Sequence, residues 1–176
     1  MHNVRNMRET LSVLNELVAS GTIGEYAVGG AVGATFYLEP VATLGLDIFV
    51  IFKNPPLILT LTPIYDWLRQ RGFHAESDAV RIHNWPVQFL PASNPLLEEA
   101  VREANVTQLN DVPVRVMRAE HLMAIALQTG RAKDYSRLIM FMEAPVADMA
   151  LLRALLARHA LVEAWQKFEQ RYLRPQ

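Results

Sequence analysis

The run Leu46-Asp47-Ile48-Phe49-Val50-Ile51-Phe52 constrains this chain more than any other segment, because it is apolar throughout apart from one carboxylate. A continuous apolar run of this length reads as a β-strand buried on both faces, where an ionised carboxylate is costly unless a cation, a metal or hydrogen-bond donors compensate it. Upstream, Tyr26-Ala27-Val28-Gly29-Gly30 reads as a short strand ending in a glycine pair that turns into a helix. Such a pair permits close approach to the backbone and offers free N–H groups suited to a phosphate, whose counter-ion the carboxylate would hold. Together the two segments suggest a nucleotide site. An architectural reading stands beside it, since a buried Asp can equally cap a helix or pair with Arg, and a bare Gly-Gly is common.

With 176 residues the chain suffices for one domain, or for one domain with a small helical appendage, and can bury a substantial core. A hydrophobic fraction of 51%, a charged fraction of 20% and a formal net charge of -1 exclude a disordered chain and a bulk electrostatic binder of nucleic acid. There is no Cys, which excludes disulfides, thiolate metal sites and Cys nucleophiles and suits a reducing cytosol. Met1 to Thr10 is polar and lacks the apolar stretch of a signal peptide, and the longest apolar segments fall short of a membrane span. The expectation is a cytoplasmic protein with no membrane partner.

Helical spacing of Met7, Leu11, Leu14 and Val18, followed by Ser20-Gly21, predicts an amphipathic first helix. A second helix is expected over 31–38, stopped by Glu39-Pro40. Asn54-Pro55-Pro56 breaks the chain after the central strand, and a helix from Pro63 to Gly72 follows. Ala79 to Ile82 and Val87 to Leu90 read as strands of a hairpin joined through His83-Asn84-Trp85-Pro86. Leu96 to Ala104 reads as a helix and Val112 to Val116 as a short strand, and from Ala119 onward the pattern is entirely helical. The Met, Trp and Tyr positions of this last part read as core. His121 and His159 are isolated in sequence, and no pair of histidines has metal-ligand spacing, so they read as structural or exposed.

A strand, a Gly-Gly turn, a helix and then a strand that begins after Thr43 and carries an aspartate together resemble the nucleotidyltransferase superfamily that includes DNA polymerase beta. Within it the chain is most similar to small bacterial proteins related to abortive-infection and toxin-antitoxin nucleotidyltransferases. The resemblance rests on residues 26–50, on Ala119 to Arg137 with its Arg131, Lys133 and Asp134, and more weakly on Pro86-Val87-Gln88-Phe89-Leu90. It implies an α+β nucleotidyltransferase fold, a small mixed sheet flanked by helices, with residues 1–118 as core and 119–176 as a C-terminal helical segment packed on it. It also implies Asp47 as the catalytic, magnesium-binding carboxylate, with Gly29, Gly30, Thr43, Gln88, Arg131 and Lys133 as nucleotide-binding residues.

In-line phosphoryl attack builds charge on the entering and leaving oxygens, and two metals about 4 Å apart can stabilise both. The family holds them with an Asp-x-Asp pair, whose alternate side chains share one strand face, and a third carboxylate from a later strand. Here Gly45 stands where the first Asp is expected and Gln88 where the third carboxylate is expected. Gly45 reads either as a lost carboxylate, the preferred reading on resemblance, or as a place where another backbone approaches closely. Glu39 is the nearest other carboxylate in sequence, although a Glu before Pro is more often solvated, and Ala126 stands near where relatives often carry a lysine.

Arg115, Arg118, Arg131, Lys133 and Arg137 outnumber Glu120 and Asp134, a locally positive stretch able to neutralise a triphosphate or simply to keep a face in water. Asp134 and Arg137 are spaced for a weak helix-surface pair. Two readings result. One is a protein that binds a magnesium–nucleoside triphosphate and passes a nucleotidyl group to RNA, protein or a small molecule. The other is a catalytically degenerate binding or regulatory protein in a toxin-antitoxin setting.

Overall fold

The computed structural model describes residues 2–39, 45–55, 60–109 and 111–173, with side chains from residue 7 onward. Thr43, Pro40 and Pro56 lie outside the described residues. Helix α1 (His2–Ala19) leads into β1 (Glu25–Val28), the short α2 (Gly30–Ala34) and β2 (Leu46–Ile51). Then come α3 (Thr62–Arg69), strands β3 (Ala75–Glu76), β4 (Ala79–Ile82) and β5 (Trp85–Pro91), and α4 (Pro95–Arg102). Strands β6 (Asn105–Leu109) and β7 (Val112–Val116) precede α5 (Ala119–Thr129), α6 (Ala132–Glu143), α7 (Met149–Arg158) and α8 (Val162–Phe168). Among the described residues no helix is long and apolar enough to cross a membrane.

The strands form a seven-stranded mixed sheet in the order β3-β4-β5-β2-β1-β7-β6. Strand β2 lies at its centre, antiparallel to β1 and parallel to β5, and the register places Asp47 opposite Gln88. Both faces of the sheet are covered. On one face Leu46, Ile48 and Val50 join Leu11, Leu14 and Leu17 of α1 and Ile64 and Leu68 of α3 in a core. On the other, Phe49 and Ile51 pack against a second core built by α4 to α8. The fold is therefore the expected α+β arrangement of a mixed sheet between helices. The expectation of equal burial on both faces of β2 needs correction: burial alternates along the strand, and Asp47, Phe49 and Ile51 are only half-buried. The helices on that face stand off the sheet at the Asp47 end and leave open space there.

Helix α2 is shorter than its composition suggests. Thr35 Oγ1 donates to the Val32 carbonyl at 2.7 Å, and the amides of Phe36 and Tyr37 bond three residues back at 3.3 and 3.0 Å, so the chain tightens into turns before Glu39. The hairpin is tighter than expected too, with Trp85 and Pro86 inside β5 and only His83 and Asn84 in the turn. Both turn residues have positive φ, +46° and +73°, the backbone of a hairpin turn whose twist matches the flanking strands. Strand β6 was not foreseen: four of its five residues are exposed, so it lacks the alternation that marks a half-buried strand.

Asn tolerates the left-handed backbone of the turn, whereas a β-branched residue does not. Replacing Asn84 with Val should lower stability by about 1–2 kcal/mol, and replacing it with Gly should not, as read by urea denaturation.

Candidate functional site

The corner between β1 and α2 is fixed by backbone contacts. The Gly29 amide donates to the Asp47 carbonyl at 2.9 Å, which extends the β1–β2 ladder by one bond, and the Gly33 amide donates to the Gly29 carbonyl at 2.8 Å to start the helical turn. Gly30 has φ +57°, and a Cβ on it would overlap Oδ2 of Asp47. The Asp47 carboxylate thus lies against the bare Cα of Gly30. A side chain at Gly29 would come within 2.6 Å of the Phe49 ring. Both glycines are required by what packs on them, and Asp47 is one of those neighbours.

Two clefts meet at this carboxylate. The larger, about 750 Å³, runs between α2 with its following turn, the Asp47 end of β2, the β4–β5 hairpin and α6. The smaller, about 390 Å³, runs under α4 and α5 and has an apolar floor that includes Phe49, Leu90 and Leu122. Gly30, Asp47, Gln88, Arg131, Lys133 and Arg137 line both. Among the described residues no hydrogen bond or ion pair within 4 Å reaches the Asp47 carboxylate. Burial pushes its pKa above the usual aspartate range, against the pull of Arg137, Lys133 and Arg131. It is an acid held partly out of water with cations nearby and none touching it.

Those cations are arranged by Asp134, which is 2% exposed. Arg131 Nε donates to Asp134 Oδ2 at 2.6 Å, and Asp134 also accepts from the Arg131 backbone N–H at 3.3 Å. Arg137 lies 3.6 Å from the same carboxylate. The Asp134–Arg137 contact is therefore not the exposed helix pair that spacing suggested. Asp134 is the buried anchor that starts α6 and sets two guanidinium groups at the cleft. Lys133, between them in sequence, is exposed and has no ion-pair partner among the described residues. The rest of the basic stretch serves elsewhere. Arg115 ties Glu25 at 3.0 Å and the carbonyls of Tyr26 and Val101, and Arg118 binds the Glu103 carbonyl at 2.9 Å.

Gly30, Asp47, Gln88, Arg131 and Lys133 converge on the clefts, Gly29 braces the corner through its amide but lines neither cleft, and Thr43 lies outside the described residues. Sequence reasoning missed Asp78, which the β3–β4 turn brings to the larger cleft, where Gln88 Nε2 donates to its Oδ2 at 3.4 Å. No spacing marked it, since its position depends on strand pairing. Glu39 lines the outer part of the same cleft and is exposed. Gly45 is explained by packing: a Cβ there would lie 2.6 Å from the Pro86 carbonyl on β5. Of its two readings the backbone-approach one has a physical cause. The donor set fits one magnesium ion, because Asp47 is unpaired among the described residues and such an ion takes one or two carboxylates with phosphates and water. It does not fit a pair of metals, because neither Gly45, two residues before Asp47, nor Gln88, opposite it in the sheet, carries a carboxylate.

A second polar group lies away from both clefts. Glu99 of α4 bonds Arg158 Nε at 3.0 Å and His159 Nε2 at 2.7 Å. The Arg158 hydrogen bonds, with help from His159, pull Glu99 down to about 2. Burial lowers the pKa of His121 against the attraction of Glu99 and Glu103.

No family model and no curated protein sequence matches the chain. Among solved structures it is similar to an antigenic nucleotidyltransferase-like protein from Paracoccidioides brasiliensis, with TM-score 0.58 and 14% identity over 92% of this chain and 93% of that one. It is also similar to the antibiotic-resistance factor ANT(2'')-Ia, with TM-score 0.54 and 13% identity over 96% of each chain. At these identities the likeness is one of fold, and the chain has a nucleotidyltransferase-like fold.

The raised pKa of Asp47 has a definite sign in stability. Its folded form holds the proton more tightly than the unfolded chain does, so its contribution is fully present below the ordinary aspartate value of 3.8 and is lost as pH rises through the folded value. At pH 7 the ionised group is a net cost. Asp47→Asn should therefore melt higher than the parent at pH 7, with the gap closing as pH falls towards 4, in scanning calorimetry. Gly45→Asp should lower stability by about 1–3 kcal/mol in denaturant titration, because it forces β2 away from Pro86.

Proposed function

We propose that the two clefts around Asp47 together bind a nucleoside triphosphate with one magnesium ion. The observation that carries this is the half-buried Asp47 carboxylate, unpaired among the described residues, facing a glycine corner inside an arc of Arg131, Lys133 and Arg137. An arrangement that costs stability at neutral pH and has no internal partner fits a group kept for a ligand. In this reading the phosphates approach the cleft beside the Gly29–Gly30 corner, next to the Asp47 carboxylate that fills the space a Gly30 side chain would take. Lys133 and Arg137 neutralise their outer oxygens, and Arg131, held by Asp134, offers its remaining N–H donors. Asp47 is the residue that would hold the metal, and Gln88 is placed across from it to orient a phosphate or a metal-bound water. Bound magnesium would supply charge neutralisation on the phosphate oxygens.

Nucleotidyl transfer would break the bond between the α-phosphorus and its bridging oxygen, form one to an acceptor oxygen or nitrogen, and release pyrophosphate. Asp78, which lines the larger cleft with Asp47 and Glu39, would accept the proton the acceptor loses. Which acceptor it is, RNA, protein or small molecule, follows from what enters that cleft. Gln88 and Gly45 favour a second reading, in which the nucleotide is bound and not turned over and the protein acts as a regulatory module, as in a toxin-antitoxin setting. Absence of the carboxylates that a second metal needs supports it.

Isothermal titration with each magnesium–nucleoside triphosphate should show saturable, metal-dependent binding that Asp47→Asn abolishes. Lys133→Ala and Arg137→Ala should each weaken it roughly tenfold, the loss of about one charge-assisted hydrogen bond. Binding unchanged in Asp47→Asn refutes the site. Incubation with labelled triphosphates and cellular RNA separates the readings, since covalent label excludes the non-catalytic one.

A further inference from the structure

On the far side of α5 from Arg131, three ligand-bearing side chains come together from two elements. One oxygen each of Glu99 and Glu103 and one ring nitrogen of His121 lie within 4.8 Å of one another. Glu99 is on α4, Glu103 follows its last turn, and His121 is in the first turn of α5. None of the three lines either cleft at Asp47.

His121 makes this more than a group of acids. Its side chain is 1% exposed, and among the described residues neither ring nitrogen has a hydrogen-bond partner. Nε2 lies 3.5 Å from Glu99 Oε1. An imidazole buried with both nitrogens unsatisfied is a costly arrangement that calls for a missing partner. A partner on the carboxylate side would accept the lone pair of one ring nitrogen and sit beside two carboxylates. A divalent ion does both.

We propose that Glu99, Glu103 and His121 bind one zinc-class divalent ion and so tie α4 to the start of α5. The mixed nitrogen and oxygen donor set suits zinc or cobalt rather than magnesium, which takes oxygen ligands. His159, 2.7 Å from the other Glu99 oxygen, orients that carboxylate from behind. Arg158 is the resident competitor. Its guanidinium bonds both Glu99 oxygens, but its side chain is 51% exposed and can leave Oε1 for solvent. Arg118, 3.7 Å from Glu103, is a looser competitor at the exposed end. Removing Arg158 therefore tightens the site.

The test uses the full chain carrying Asp47→Asn, so that the cleft carboxylate does not contribute, freed of metal by a chelator and dialysed. Zinc titration by calorimetry should show one saturable site with a rise in melting temperature, and cobalt should give the ligand-field absorption of a bound ion. Glu103→Gln changes an exposed residue and spares the fold, and it should weaken zinc by about tenfold or more. Arg158→Ala should strengthen zinc binding, and zinc should move the His121 Nε2 resonance in nitrogen NMR. The proposal is overturned by the absence of a saturable site, by equal affinity in Glu103→Gln, or by a His121 resonance that zinc leaves in place.

Discussion

The contact between Asp47 and the bare Cα of Gly30 is the constraint on which the site depends. It requires a left-handed residue without a side chain at the end of β1, and it requires β1 and β2 to be neighbours in one register. The backbone supplies that register through the Gly29 amide and the Asp47 carbonyl. One carbonyl and one carboxylate of the same residue thus brace the corner and present an acid beside it. Any side chain at Gly30 collides with the acid, so fold and site are set by the same few atoms.

The electrostatic layout follows from burial. Asp134 is fully enclosed and is compensated by Arg131 and Arg137, so it is an internal counter-ion with structural duty. Asp47 is half-enclosed and uncompensated at contact distance, with the same guanidinium groups nearby. Two aspartates of opposite fate therefore share one set of arginines. The first fixes where the cations sit, and the second leaves a carboxylate beside them with no contact partner among the described residues. Holding Asp47 ionised there costs stability, the trade expected where function rather than folding selects the residue.

The parts of this structure that were legible in the sequence are those encoded within one short segment. The central strand, the glycine corner, α1 and the hairpin each announce themselves by local pattern. What was not legible depends on pairing between distant segments. Strand β6 is an exposed edge with no alternation to read, and it exists because β7 offers it a ladder. Asp78 reaches the cleft through β3–β4–β5 pairing. His121 and His159 looked solitary because Glu99, which meets both, comes from a different helix. Gly45 misled in another way, since resemblance suggests a deleted carboxylate where the neighbouring Pro86 backbone leaves no room for a side chain.

Helix α5 connects the two polar centres. His121 lies in its first turn, and its last turn closes on Gly130, whose left-handed backbone at φ +67° delivers the chain to Arg131. Eleven residues of helix span about 16 Å at 1.5 Å per residue. Nearly all of its first eight residues are buried against α4, α6 and α7, so it moves as a body within that packing and not as a flexible strand. An ion holding His121 to α4 would fix the end of this rod opposite the cleft. The arginine at the other end is placed by Asp134 locally and by the helix globally. Both polar centres are thus built on the ends of one packed helix.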